Sequence, residues 1–155
     1  MARYSAQAKS SAALAVDTGF AWLQASATNG FKLRRLTLGV VAGATTPTSQ
    51  QLTVGINRVT TAGTTPGGGM TPNKLDPNSA AAGSTFKTTY ATPPTLTADD
   101  LFTAPFNSQS GVDLPWELLE ELAVTLGTAN GLVFINRDNA LPASHSYRIS
   151  VEWEE

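Results

Sequence analysis

The closing stretch Ser146-Tyr147-Arg148-Ile149-Ser150-Val151-Glu152-Trp153-Glu154-Glu155 alternates apolar and polar residues without a break. Successive side chains of a strand point to opposite faces, so Tyr147, Ile149, Val151 and Trp153 share one face. Ser146, Arg148, Ser150, Glu152 and Glu154 share the other. A helix would scatter both sets around its circumference. Upstream, Gly131-Leu132-Val133-Phe134-Ile135-Asn136 is a continuous apolar run between turn residues, the pattern of a strand covered on both sides. The polar segment 137–145, with one Pro, joins the two. A strand buried on both faces followed by a half-buried one predicts a two-layer β structure.

The rest of the chain fits that frame. Residues 1–11 are small and polar, which suggests a frayed tail or an N-terminal arm laid on a partner. Ala12 to Val16 is short and apolar, and Asp17-Thr18-Gly19 reads as a turn. Asn29-Gly30 lies between two strand candidates and predicts a hairpin. The following strand, 31–41, carries a fault in its parity. Phe31 and Leu33 share one phase, and Leu36, Leu38 and Val40 share the other. A β-bulge at Arg34-Arg35 would return both sets to one face. Leu52, Val54 and Ile56 alternate inward in the next strand. Segment 60–97 is a long Thr/Gly/Pro-rich excursion in which only 85–90 looks like a short strand, and it is expected to contact a neighbour. Segment 99–107 reads as a strand at an edge because of Pro105. Leu118, Leu119 and Leu122 have helical spacing with Asp113 as a possible N-cap, whereas Leu122, Val124 and Leu126 alternate as a strand. At most one short helix is expected there. The whole chain, 1–155, reads as a single all-β domain: an antiparallel β-sandwich of jelly-roll type with about eight strands and long loops.

Composition narrows the function. Charged residues make up 14% of the chain, against about 25% in a typical soluble domain. A surface so poor in charge suits a protein partly covered by neighbours. The net charge of -2 gives no electrostatic case for nucleic acid or for an anionic membrane. With no cysteine, disulfides, thiolate metal sites and cysteine nucleophiles are excluded, and a reducing cytoplasm suits the chain. No stretch approaches a membrane span, and no signal peptide is visible, so the protein is expected to be made in a cytoplasm and not secreted.

Catalytic patterns are weak. His145, the sole histidine, has Ser144, Ser146 and Asp138 nearby, but sequence neighbours do not form a triad and no nucleophile elbow accompanies them. It reads as a loop histidine capping a strand. Asn136, Asp138 and Asn139 lack the spacing of a calcium loop and read as a polar turn. The adjacent acids Asp99-Asp100, Glu120-Glu121 and Glu154-Glu155 should face opposite ways on strands, so they fail as glycosidase pairs. Gly67-Gly68-Gly69 lacks the Gly-Lys-Ser/Thr of a phosphate loop. Trp22, Trp116 and Trp153 read as core or interface rather than sugar platforms. No catalytic, metal or cofactor residue is expected.

Three blocks carry a resemblance: Phe31-Lys-Leu-Arg-Arg-Leu-Thr-Leu-Gly, Asn107-Ser-Gln-Ser-Gly-Val-Asp-Leu-Pro-Trp-Glu, and Gly131-Leu-Val-Phe-Ile-Asn-Arg-Asp-Asn-Ala-Leu-Pro with Val151-Glu-Trp-Glu-Glu. They resemble small structural proteins of tailed bacteriophages, and more loosely the jelly-roll proteins that decorate capsids, commonly as trimers. The resemblance implies a non-enzymatic virion protein that partners itself and the major capsid protein on the shell surface. It implies no catalytic residues. Aromatic residues outside the core would then anchor the contacts, with Tyr4, Phe86, Tyr90 and Trp116 as candidates. The rival expectations are a carbohydrate-binding sandwich of a tail or fibre, resting on the tryptophans and Asn/Asp-rich loops, and a hydrolase using His145.

Overall fold

A computed structural model describes residues 1–64 and 70–155; the Gly67-Gly68-Gly69 stretch lies outside the described residues. In chain order the strands are β1 (Arg3–Lys9), β2 (Thr18–Gln24), β3 (Phe31–Val41), β4 (Gln51–Thr61), β5 (Asn73–Lys74) and β6 (Thr85–Lys87). They continue as β7 (Thr95–Leu96), β8 (Phe102–Asn107), β9 (Val112–Pro115), β10 (Leu122–Val124), β11 (Gly131–Arg137) and β12 (Ser146–Glu154). The count exceeds the expected eight because five of these strands have only two to four residues.

The fold is an all-β sandwich of two antiparallel sheets. One runs β10-β3-β12-β1-β5, with β9 also on β3. The other runs β6-β2-β11-β4-β7, with β8 also on β4. The principal pairs are nested: β1 with β12, β2 with β11, β3 with β9 and β10, and β4 with β8. The chain is therefore one long antiparallel ribbon, and successive parts of it fall in alternate sheets.

The parity of the last strand decides the packing. Tyr147, Ile149, Val151 and Trp153 are fully buried between the sheets. In β11, Leu132 and Phe134 enter that same core. Val133 and Ile135 point the other way and pack with Trp22 and Val59 beneath Tyr90 and Leu96. That second cluster is why the strand is apolar at every position.

The fault in β3 is a bulge. Glu152 pairs with Arg35 and Trp153 with Leu33, which leaves Arg34 as the supernumerary residue. Phe31, Leu33, Leu36 and Leu38 are consequently all buried on one face. The edge expectation for Pro105 also holds: β8 pairs with β4, and Pro105 sits opposite Thr53.

Two expectations change. Asn29-Gly30 makes no hairpin, because β2 and β3 belong to opposite sheets. The turn there is closed by the Ser26 hydroxyl, which accepts from the Asn29 amide at 2.8 Å. Gly30 is needed because a Cβ would lie 2.3 Å from the Val124 carbonyl oxygen. The short apolar stretch 12–16 lies between β1 and β2; Leu14 is buried and its carbonyl accepts from the Leu141 amide at 2.9 Å. Where an N-terminal arm was expected, Arg3–Lys9 form a strand paired with β12 along seven residues. Its inward positions are Tyr4, Ala6 and Ala8, and two alanines make a faint apolar signal. At 115–122, where at most one short helix was expected, Val112–Pro115 is a strand, a turn follows, and Leu122 begins β10.

Much of the 60–97 excursion folds back onto its own chain. β5 extends the first sheet, and β6 and β7 extend the second. The Glu155 carboxylate accepts from the Gly83 and Ser84 amides at 2.9 Å each and from the Trp153 indole at 3.0 Å.

Candidate functional site

The most exposed large apolar side chain among the described residues is Leu119, at 87%, with Leu118 beside it at 71%. Isolated exposed leucines are ordinary. This pair is different because the backbone beneath it is fixed. Leu119 has φ of 77°, a left-handed conformation that L-residues with a Cβ resist. Such strain persists only where the surroundings hold it.

The holding residue is Arg34. A bulge leaves its extra residue unpaired in the ladder, which frees the Arg34 carbonyl to accept from the Trp116 amide at 2.8 Å. Its guanidinium donates through Nε to Glu154 at 2.8 Å, through Nη2 to the same carboxylate, and through Nη1 to Glu121. The turn is thus tied at both ends to one residue, through its backbone carbonyl and its guanidinium. Arg3 adds a longer contact to Glu154 at 3.3 Å. Burial pushes the Glu154 carboxyl up, but hydrogen bonds from Arg34 and Arg3 outweigh it and hold the group below its usual range. Glu121 is held low by its own backbone amide, with help from the Arg34 charge and the Leu119 amide.

Trp116 is half-buried at the base of this turn. Its ring meets Phe102, on the β8 edge of the other sheet, edge-on at 5.9 Å and 77°. Phe102 is itself 38% exposed. Trp116, Phe102, Leu118 and Leu119 therefore place apolar surface on one flank of the sandwich.

Of the four anchors named from sequence, Trp116 lies in this flank. Tyr4 is 2% exposed, stacks near Trp153 and donates its hydroxyl to the Ala80 carbonyl. Phe86 is fully buried in the main core. Tyr90 is half-buried over Trp22, with burial raising its phenol pKa. These three serve the packing of the single chain. Phe102, Leu118, Leu119 and Arg34 were not among the anchors named from sequence. The two leucines share helical spacing with Leu122, which disguised them as an inward face; the acidic residues bracketing them were the available signal.

Polar candidates are consumed by structure. The His145 ring accepts from the Thr48 amide at 3.3 Å through Nε2 and donates to the Ala143 carbonyl at 3.0 Å through Nδ1. Asn136 is fully buried; its amide donates to the Ala15 and Asn139 carbonyls and its oxygen accepts from the Tyr147 hydroxyl at 2.5 Å. Adjacent acids take separate partners: Glu154 meets Arg34 while Glu155 caps residues 83–84. Asp100 pairs with Arg137. Among the described residues no group of three His, Cys, Asp or Glu is placed to hold a metal ion, and no helix is long and apolar enough to cross a membrane. Comparison with family models, curated proteins and solved structures gives no match.

Proposed function

We propose that the protein is a non-enzymatic structural component of a tailed-phage virion, a decoration protein that self-associates as a trimer and binds the outer surface of the major capsid shell. The observation that carries this reading is the rigidly tied turn that holds Leu118 and Leu119 in solvent. An apolar pair kept exposed at the cost of backbone strain supports a surface contact. The nested ribbon of strands agrees with a jelly roll, an architecture used by viral capsid and lectin domains. The resemblance of the blocks at 31–39, 107–117 and 131–142 supports the phage assignment. Such a protein works by adhesion repeated at many lattice sites, each burying about 1,200–2,000 Å².

The carbohydrate-binding alternative draws less support, because Trp22 and Trp153 are 1% and 0% exposed and cannot stack on a sugar. Co-sedimentation with emptied heads of the phage that encodes the protein tests the proposal. Saturable binding that Leu118→Ser/Leu119→Ser abolishes is the expected result. Free protein at every concentration would overturn the capsid assignment.

A further inference from the structure

A shallow groove on the first sheet stands at the opposite end of β9 from the leucine turn. It is lined by Leu38, Gly39, Val40, Val41, Val112 and Arg148, among others. It exists because β9 pairs with β3 only from Arg35 to Leu38, so among the described residues Gly39–Val41 have β12 on one side and no strand on the other. Gly39 deepens it: a Cβ there would meet nothing within 4 Å.

The two ends of β9 also differ in charge. Around the leucines, Glu121 is matched by Arg34, but Glu117 and Glu120 form no ion pair among the described residues. At the groove, Asp113 is neutralised by Arg35, with Nη2 to Oδ2 at 2.6 Å. Arg148 has no ion-pair partner among the described residues, and Lys9 stands directly opposite it in the β1–β12 register. Lys9 is likewise unpaired there and exposed. One end of the edge is thus an apolar knob with two spare acids, and the other a groove of mixed polar and apolar lining with the spare Arg148 in its wall and Lys9 one strand beyond it.

We propose that the protein self-associates head to tail, with the Leu118-Leu119 turn of one copy seated in the Gly39–Val41 groove of the next and Glu117 and Glu120 facing Arg148 and Lys9. The occupant is a second copy of this chain, because the charge that the groove calls for is the charge the turn carries. Two different surfaces meet, so the contact is heterologous, and a heterologous contact that closes on itself makes a ring. This rests on the self-association in the proposed function and specifies its geometry. It separates from shell binding, which a monomer could still perform.

Two variants test it, each altering one surface and neither touching the core. Leu118→Ser/Leu119→Ser removes the knob, and Gly39→Arg fills the groove from an open position. Light scattering should give the wild type at three times the monomer mass of 16.2 kDa and each variant at the monomer mass. Mixed together, the variants should form a one-to-one dimer, because one intact knob meets one intact groove. A charge reversal, Arg148→Glu, should also give monomers, and pairing it with Glu117→Arg/Glu120→Arg should restore assembly. A monomeric wild type at micromolar concentration, variants that still assemble, or monomeric variants that fail to combine would each overturn the head-to-tail contact. Gly39→Arg keeps the leucine turn, so its monomer should still co-sediment with the shell; loss of shell binding by the wild type and this variant alike would overturn the shell reading without touching the head-to-tail contact.

Discussion

Removing one arginine from the Arg34-Arg35 pair tests whether β3 carries one residue too many. Arg34 is the residue without a partner in the β12 register. Its loss leaves Leu33 next to Arg35, still opposite Trp153, and returns the strand to plain alternation. Phe31 and Leu33 stay inward. What is lost is the guanidinium on Glu154, a carboxylate whose side chain is 10% exposed, together with its tie to Glu121 and the carbonyl that holds the Trp116 amide. Removing one partner of a buried pair costs about 3–5 kcal/mol. Protonating the stranded Glu154 carboxyl at pH 7 instead costs about 1.36 × (7 − 4.3), or ~3.7 kcal/mol, which caps the loss at that group. Arg3 remains on Glu154, so about 2–3 kcal/mol is expected from Glu154, and Arg34→Ala, which keeps the carbonyl, should lose the same side-chain contribution. Deleting Ser150 from β12 is the contrast. No bulge absorbs it there, so either Tyr147 and Ile149 or Val151 and Trp153 turn to water. At about 1.5–3 kcal/mol per side chain, plus the voids left behind, the cost approaches a whole domain's 5–15 kcal/mol. Urea unfolding followed by fluorescence of the buried Trp22 and Trp153 reads all three variants. A deletion at 34 as ruinous as the one at 150 would refute the bulge assignment.

Leu119→Asn relieves a left-handed strain that Asn tolerates, so stability should hold or rise by up to ~1 kcal/mol, seen as ~2–4 °C in Tm for a domain of this size, while assembly is lost. A loss of stability in that variant would mean the leucine is structural. Gly131→Ala should cost roughly 3 kcal/mol or abolish folding, because its Cβ would lie 2.2 Å from the Trp22 indole nitrogen and 2.6 Å from the Leu23 carbonyl; Gly39→Ala in the same thermal melt should be neutral. Acid should destabilise the protein. Glu154 and Glu155 have folded pKa values below the ordinary 4.5, so their contribution is full above that pH and drains away as pH falls through the lower folded values. Glu155→Gln should flatten part of that acid limb in a pH series of urea midpoints, and an unchanged limb would remove residues 83–84 from the account.

Strong period-two signals were legible from sequence: both faces of β12, the doubly covered β11 and the phase slip of β3 follow from side-chain alternation. Other features depend on partners far along the chain. Asn29-Gly30 looks like a hairpin locally, but the nested ribbon sends β2 and β3 to different sheets. The β1 pattern was diluted by Ala6 and Ala8, which fit because large residues of β12 fill the space beside them. Leu118 and Leu119 carried helical spacing that Pro115, paired opposite Arg35 in β9, does not allow to start before the turn. Arg34 was legible as a fault in the pattern; its tie to Glu121, 87 residues away, was not.

Imaging purified particles of the phage at subunit resolution tests the central claim most directly. The account predicts copies of this sandwich standing on the outside of the head in threes, with residues 116–120 buried at a contact. Finding the chain at a tail tip or fibre, or on the shell with Leu118 and Leu119 facing open solvent, would contradict it.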